Sequence, residues 1–263
     1  MRPLPGVAML ALALPLAHAG VPEARVIQVW PSAAEVPANL LRLSIEFAAP
    51  VEGPVLPRIG LAHLDGTLLQ QPFLPQELWS PDGRILTLLF HPGRVKTGLV
   101  AREKLGPILS TGDDVLLTLD ERPVRRWHVG STDANGPMVS AWRLSPVRVA
   151  TRQPLVVALD APIDGRDTDY VTIVAADNRI VDGRAALKDG ETTWTFVPDA
   201  PWQAGTYRLA VRGTLEDPAG NRPGRHFETA MDSPPKPAMD AVVVFHIGPS
   251  LSPEAGAPPQ TAR

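Results

Sequence analysis

The densest group of residues that could do chemistry is acidic and lies in the second half of the chain. Asp164, Asp167 and Asp169 fall within one short segment, and Asp177 follows. Carboxylate oxygens suit calcium, and two carboxylates within ~10 Å of each other across a cleft could hydrolyse a glycoside. The segment lacks the ~12-residue loop with a closing glutamate that a helix-loop-helix calcium site uses. We therefore predict a solvated turn at these aspartates.

A second polar group consists of Asp217 and Asn221, which flank Gly220. Side chains of Asp and Asn in turns commonly bond their own backbone. These two residues are therefore predicted to shape a turn, and neither acidic group predicts a metal site.

Hydrolytic chemistry lacks its usual signatures. The chain contains no Gly-x-Ser-x-Gly elbow and no cysteine, and its six histidines are spread over distant segments. A catalytic triad is recognised by geometry and not by order, but the spacing gives no reason to expect one. We predict that the protein is not an enzyme, with no catalytic residue, no metal ligand and no cofactor.

Four tryptophans offer a different chemistry, the stacking of an exposed ring on a sugar. They lie near prolines or turns: Trp30, Trp79, Trp142 and Trp202. Because the chain has only 2 tyrosines and 6 phenylalanines, the tryptophans are expected to be needed inside a core. A carbohydrate-binding module remains one hypothesis, which substitution of Trp79 or Trp202 would test.

Residues 1–19 resemble a secretory signal peptide. Arg2 gives a positive start, residues 7–16 form an apolar run, and Ala17-His18-Ala19 fits a small-x-small cleavage site. The run is too short to cross ~30 Å of hydrocarbon, and no membrane span is predicted elsewhere. We expect an exported protein that is periplasmic, held at the cell surface or secreted.

Copper binding is a second hypothesis, because exported β-sandwich proteins of the copper-resistance type begin with a histidine after signal removal. Cleavage after Ala17 would expose His18, but cleavage after Ala19 fits the small-residue pattern better and removes it. Three further histidines each stand alone in or next to a predicted strand and are interpreted as structural: His91, His128 and His246.

The charge balance argues against nucleic-acid or anionic-membrane partners. Lys and Arg number 25 against 28 Asp and Glu, which gives a formal net charge of −3. The pair Arg125-Arg126 is predicted to lie on a solvated strand face. With 30 prolines and 21 glycines between apolar runs, the composition favours a loop-rich β protein.

Alternation of apolar and polar residues predicts the strands. In the segment 41–47 the odd positions are apolar, which places Arg42, Ser44 and Glu46 in water on the opposite face. Asp65-Gly66 and Asp82-Gly83 are predicted tight turns. Further strands are predicted at 59–64, 84–90, 115–119, 126–129, 155–159, 170–175, 193–196, 207–211 and 241–247.

The strand pattern occurs twice. The segment Phe47-Ala48-Ala49-Pro50-Val51 returns as Leu159-Asp160-Ala161-Pro162-Ile163. The number of positions that separates a residue of the first copy from its equivalent in the second copy decreases along the chain. The first copy therefore contains extra residues, which we place at 93–109. This insertion contains the only helical candidate, 100–105, which is too short to form except by packing. We expect individual function in the insertion because loops commonly bear it.

The segment from Thr193 to Tyr207, followed by 213–221, resembles the bacterial Ig-like domains of surface and exported proteins. In that family a tryptophan leads into Phe-x-Pro, Gly-x-Tyr opens the next strand, and an Asp-x-Ala-Gly-Asn turn follows. The first half has Phe90-His91-Pro92 but Asp120-Glu121-Arg122-Pro123 in place of the turn. The resemblance implies β-sandwiches that serve as a spacer, display unit or weak binding module, with no catalytic residues.

The predicted fold is therefore all-β, with two tandem Ig-like β-sandwiches after a signal peptide. We expect a signal peptide at 1–19, sandwiches at 20–131 and 132–248, and a disordered tail at 249–263, where apolar residues are few. The expected function is that of a non-catalytic spacer, scaffold or interaction module with a protein or cell-envelope partner. A rigid joint between the sandwiches would indicate a composite site, and a free joint would indicate a spacer.

Overall fold

The computed structural model describes residues 24–96, 99–224 and 239–248. The predicted signal peptide at 1–19 and the predicted tail at 249–263 lie outside the described residues. Among the described helices, none has both the length and the apolar character that crossing a membrane requires.

The first half of the chain forms two four-stranded sheets. One has the order β1-β3-β6-β5 and the other the order β2-β8-β7-β4. Neighbouring strands are antiparallel, except that β2 runs parallel to β8. The strands are β1 Val26–Trp30, β2 Glu35–Pro37, β3 Arg42–Phe47, β4 Ile59–His63, β5 Leu78–Trp79, β6 Ile85–Leu89, β7 Asp114–Leu119 and β8 Arg122–Gly130.

The second half forms one four-stranded and one three-stranded sheet, both antiparallel. Their orders are β12-β13-β10-β9 and β11-β14-β15. The strands are β9 Arg143–Leu144, β10 Leu155–Ala158, β11 Val171–Ala175, β12 Gly183–Lys188, β13 Thr193–Pro198, β14 Gly205–Val211 and β15 Ala241–Ile247.

The two halves correspond strand by strand. The sheet β1-β3-β6-β5 matches β9-β10-β13-β12, and β4-β7-β8 matches β11-β14-β15. This is the strand order of an immunoglobulin sandwich, in which the first, second, fifth and fourth strands form one sheet and the third, sixth and seventh form the other. The predicted fold, all-β with tandem Ig-like sandwiches, is confirmed. Membership of the bacterial Ig-like family stays a prediction.

Each half has its own hydrophobic core between its two sheets. Trp127 and Phe47 lie at the centre of the first core, and Trp194 and Ile163 at the centre of the second. The first core is built from residues 29–129 and the second from residues 139–247. The domain limits at 20–131 and 132–248 stay a prediction.

The predicted insertion contains two short helices between β6 and β7, α1 Pro92–Val95 and α2 Val100–Leu105. The helix predicted at 100–105 is thus confirmed. Val95, Ile108 and Leu109 are buried in the first core. Arg94 donates to the carbonyls of Gln70 at 2.5 Å, Gly106 at 3.1 Å and Pro107 at 3.2 Å, so the insertion is fastened to its own sandwich.

Five strands lie outside the predicted ranges, and the residues of four of them explain why. The strands β5 and β9 have two residues each, and β2 has three, which is too short for an alternating pattern. Strand β12, Gly183–Lys188, contains no β-branched or aromatic residue and forms by pairing with β13. The remaining one, β1, has three β-branched residues and a tryptophan, a signal that could have been used.

Candidate functional site

The two sandwiches meet at a joint that is held by buried ion pairs. Arg42, the first residue of β3, donates from Nε to Asp164 and from Nη2 to Oε2 of Glu216 at 2.5 Å. The side chains are 21%, 7% and 13% exposed, respectively. Burial on its own lowers the pKa of Arg42, but the two carboxylates outweigh it and raise the pKa overall. The guanidinium therefore stays charged and holds both carboxylates.

Glu216 extends this network within the second sandwich. Its Oε1 accepts from both Nε and Nη2 of Arg222, at 2.8 and 2.6 Å. Both bonds are charge-assisted and end on the same oxygen, which leaves Oε2 for Arg42. Arg222, from the same sandwich as Glu216, therefore holds the Glu216 carboxylate in position to accept from Arg42.

Hydrogen bonds that involve the backbone add further links across the joint. The N–H of Leu41 donates to the carbonyl of Pro218 at 2.9 Å, and the N–H of Ser32 donates to Oε2 of Glu191 at 2.9 Å. The Asn39 amide and the Asp133 backbone exchange two bonds of 2.8 Å, which ties down the segment between the sandwiches. The first sandwich is therefore hydrogen-bonded at separate points to the second sandwich and to the segment that connects the two.

Close packing also constrains the joint. An ideal Cβ on Gly165 would lie 2.2 Å from Cδ1 of Trp30, and one on Gly190 would lie 3.0 Å from Cβ of Ala33. Real Cβ atoms do not approach other atoms as closely as the first distance, so a side chain at position 165 would require the indole or the loop to shift. The loop that bears Asp164 can therefore lie directly against the indole.

Asp167 lies beneath this network and is 7% exposed. One of its oxygens accepts the N–H of Glu216 at 2.8 Å. Burial raises the pKa of Asp167 to about 7, and the charge of Asp164 acts in the same direction. The prediction of a solvated turn is therefore wrong for Asp164, which pairs with Arg42 of the first sandwich, and for Asp167, which is buried against the Glu216 backbone. Asp169 and Asp177 are exposed as predicted.

The polar face predicted for β3 is also covered in part. Ser44 is 2% exposed and Thr87 is 8% exposed, and their hydroxyls are 2.8 Å apart. Arg166 from the second sandwich donates from Nη1 to Oγ1 of Thr87 at 2.9 Å. The expectation that Ser44 lies in water is wrong, because the loop at 163–170 packs over this face.

An open groove of about 380 Å³ lies beside the ion pairs, between the first sheet and the loops of the second sandwich. Trp79 of β5 forms one wall, with its ring centroid 5.9 Å from that of Phe47. Its indole N–H donates to Oε2 of Glu77 at 2.9 Å, which fixes the ring. Other lining residues come from both sandwiches: Arg42, Leu78, Thr87, Asp164, Arg166, Asp167, Tyr170, Thr214, Glu216 and Arg222.

The four candidate tryptophans have different environments. Trp202 and Trp142 are 2% and 4% exposed, and their indole N–H groups donate to the Gln153 carbonyl and to Asp160, at 2.8 and 2.9 Å. Their predicted place in a core is confirmed, so neither ring is free to stack on a sugar. Trp30 is half-buried at the joint, and Trp79 is half-buried beside the groove.

The turn predicted at 217–221 is confirmed. Oδ1 of Asp217 accepts the N–H groups of Ala219 and Asn221 at 2.8 and 2.9 Å. The side chain of Asn221 donates to Asp217 and to the Asp133 carbonyl, at 2.9 and 3.2 Å, so this turn also fastens the segment between the sandwiches.

The arginine pair has two environments. Arg126 is exposed and lies 3.3 Å from Asp114, as a solvated strand face predicts. Arg125 is half-buried and donates to the carbonyls of Ser32 and Ala33, the latter at 2.7 Å, so the prediction is wrong for this residue. It stabilises the loop that carries Ser32 to the joint.

The three histidines interpreted as structural each have a neighbour within their own sandwich. His91 accepts the Gly93 N–H at 3.2 Å, His128 lies 3.6 Å from Asp114, and His246 lies 3.0 Å from the Thr206 hydroxyl. Across the described ranges, no group of three or more His, Cys, Asp or Glu residues could hold a metal ion. His18, on which the copper hypothesis rests, lies outside those ranges.

Comparisons with known proteins bear on the fold. No family model matches the chain, and no curated protein matches it either. Among solved structures, the titin domains Z1Z2 in complex with telethonin are 11% identical over 80% of this chain and 87% of theirs, with a TM-score of 0.25. Drosophila OTK extracellular domains 3–5 are 12% identical over 92% and 72%, with a TM-score of 0.24. SGBP-B from a xyloglucan utilization locus of Bacteroides uniformis is 16% identical over 72% and 46%, with a TM-score of 0.26. These identities and TM-scores are too low to support an assignment. The Ig-like fold is therefore assigned from the strand order of the molecule itself.

Proposed function

We propose that this protein is an exported, non-catalytic interaction or scaffold module whose two Ig-like sandwiches act as one unit. The observation that carries the proposal is the buried pairing of Arg42 with Asp164 and Glu216 across the joint. A flexible spacer needs no such contact. The proposed binding surface is the groove at the joint, because neither sandwich forms it alone.

The ion pairs fix how the sandwiches meet. Removing Arg42 while the joint stays closed would leave two largely buried carboxylates without their shared cation, and loss of one partner of a buried pair commonly costs ~3–5 kcal/mol. The side chains of the pair retain some exposure, so we place the cost toward the lower end. The hydrogen bonds of Leu41, Ser32 and Asn39 add further contacts across the joint.

The proposal of export rests on residues 1–19, which have a positive start, an apolar run and a small-x-small cleavage site. Because the chain has no cysteine, the sandwiches are held by core packing without disulfides. The non-catalytic role is supported by the way the acidic groups at the joint are used. Asp164 and Glu216 are engaged with arginines, and Asp217 shapes a turn.

The absence of cysteine makes the rigid joint directly testable. Single cysteines in place of the exposed Glu52 and Arg184 put one spin label on each sandwich. We expect a narrow distribution of label-to-label distances in the parent protein and a broader one after Arg42→Gln. Arg58→Gln, which removes an exposed ion pair within the first sandwich, should leave the distribution narrow. A broad distribution in the parent protein would contradict the proposal.

Export and retention can be tested on the full chain in a bacterial host. Fractionation should find the protein outside the cytoplasm, and removal of residues 1–19 should keep it inside. Isolated cell envelopes should retain the parent protein more strongly than the Arg42→Gln variant. Equal retention of a variant with an opened joint would show that the joint does not form the binding surface.

A further inference from the structure

We infer that the groove at the joint binds a neutral oligosaccharide, with Trp79 as the stacking wall and Arg166 as the main hydrogen-bond donor. This inference rests on the proposed function, because the groove exists only while the sandwiches act as one unit. It goes further by assigning the chemical class of the ligand.

The size and construction of the groove suit a small ligand. Its volume of about 380 Å³ lies within the ~300–1,000 Å³ of common ligand sites. Strand β5 supplies Trp79 and the 45% exposed Leu78 on one side. The loops of the second sandwich supply Arg166, Thr214 and Arg222 on the other. An apolar wall therefore faces a polar one.

The groove is lined by charges of both signs. Three guanidinium groups, from Arg42, Arg166 and Arg222, stand with the carboxylates of Asp164 and Glu216 and with the carboxyl of Asp167, whose pKa is raised to about 7 by burial. A phosphate or another small anion would meet the carboxylates, and a metal ion would meet the guanidinium groups. A ligand without net charge that both donates and accepts hydrogen bonds suits this lining best, and sugar hydroxyl groups do both.

Arg166 has donors to offer such a ligand. Its side chain is exposed, and the hydrogen bond that it makes to the described residues goes to Thr87. A guanidinium group has five N–H donors, so most of them face the groove or solvent. Arg42 and Arg222, in contrast, are engaged with Asp164 and Glu216.

Trp79 is held as a fixed platform. Phe47 supports the ring from the core side, and the bond from its indole N–H to Glu77 sets its rotation. An immobilised aromatic ring offers contact area to a sugar face at little cost in conformational entropy. This pairing of a fixed ring with polar groups across a groove distinguishes Trp79 from the buried Trp142 and Trp202.

A peptide ligand is less well served by the same site. Peptides commonly add a strand to a free sheet edge, but the strand at this position, β5, has only two residues. An acidic peptide would also place carboxylates next to Asp167 and Glu216. We therefore treat peptide binding as an outcome that would contradict the inference.

The test is calorimetric titration of the full chain with neutral tetrasaccharides built from glucose, galactose, mannose or xylose. Tetragalacturonate and a tetraglutamate peptide serve as acidic probes. We expect at least one neutral tetrasaccharide to bind and both acidic probes to bind more weakly. Trp79→Ala and Arg166→Gln should each weaken binding by about tenfold, the loss of one stacking contact or one charged hydrogen bond. Trp79→Phe should restore part of the loss.

Arg179→Gln is the matched control, because Arg179 is an exposed arginine in the turn after β11 and does not line the groove. It should bind like the parent protein. Absence of binding to all neutral probes, stronger binding of an acidic probe, or equal loss in the control would each overturn the inference. A narrow distribution of label-to-label distances together with no binding of neutral tetrasaccharides would overturn this inference alone. A broad distribution would overturn the proposed function as well.

Discussion

Gly165 lies against the indole of Trp30, with the site of an absent Cβ only 2.2 Å from Cδ1 and 2.4 Å from Cγ of the ring. The two residues belong to different sandwiches, at the end of β1 and in the loop after β10. The same loop bears Asp164 and Arg166, which reach Arg42 and Thr87. The close approach at Gly165 therefore sets the distance at which the polar contacts of the joint can form.

A methyl group at this position should open the joint. For Gly165→Ala we expect a loss of about 1–3 kcal/mol in the free energy of unfolding, as for other overpacked sites, and a broader distance between labels on the two sandwiches. The comparison is Gly248→Ala, where a Cβ would meet no atom within 4 Å. Urea unfolding and spin-label distances measure the two effects. Equal behaviour of both variants would show that the ring moves aside freely.

Removal of the bridging cation should be more costly than removal of an exposed one. Arg42→Met leaves Asp164 and Glu216 buried without it, and we expect a loss of about 2–4 kcal/mol. Arg58→Met removes a pair with Asp120, which is 44% exposed, and should cost no more than about 1 kcal/mol. Urea unfolding at one pH and one salt concentration compares them. Equal losses would mean that the joint pair is not effectively buried.

Asp167 should give the protein a characteristic dependence on pH. Because its pKa rises from 3.8 to about 7 on folding, the folded state holds the proton more tightly than the unfolded state. This contribution to stability is complete below about pH 4 and is lost as the pH rises through 7. The groups whose charges act on Asp167 are Asp164, Arg42 and Glu216.

The matched variant for this effect is Asp167→Asn, which keeps the shape and removes the titration. Between pH 4 and 7.5, the unfolding free energy of the parent protein should fall relative to that of the variant. The expected difference in this change is on the order of 3 kcal/mol. Chemical unfolding at several pH values measures it. Parallel curves for the two proteins would show that Asp167 does not titrate in this range.

The tryptophans should separate into core and groove residues. Trp202 is 2% exposed, so Trp202→Ala should cost about 3–5 kcal/mol through loss of packing. Trp79 is half-buried, so Trp79→Ala should cost less and leave a cooperative transition. Thermal and urea unfolding compare the two. A larger loss at Trp79 would assign that ring to the core and not to the groove.

The sequence predicts the sandwiches well because the residues of each core lie in strands whose own apolar pattern marks them as buried. Alternation in 41–47 predicts β3, and the apolar run at 84–90 predicts β6, which pairs on both sides within its sheet. Such patterns reflect burial against strands of the same sandwich, which any sheet with a covered face requires. The repeated sequence pattern near Phe47 and Leu159 predicts that the same sandwich topology occurs twice.

The joint could not be predicted in the same way. Ser44 and Asp164 are polar residues at positions that a lone sandwich exposes, and their burial comes from a surface of the other sandwich. Arg42 and its partner Glu216 are 174 positions apart in the chain, and no periodic pattern links them. The sequence signal for the joint was the group of acidic residues at 164–169. Residue types alone do not show that another part of the chain covers these carboxylates.

The chain order of the joint residues has a consequence for folding. During synthesis the amino-terminal domain commonly folds first, and the strands of the first sandwich end at Gly130. Glu216 and Arg222 follow much later, so Arg42, Ser44 and Thr87 face solvent on the nascent chain until the rest has emerged. During synthesis the first sandwich therefore exposes a polar patch that becomes covered only when the second sandwich folds against it.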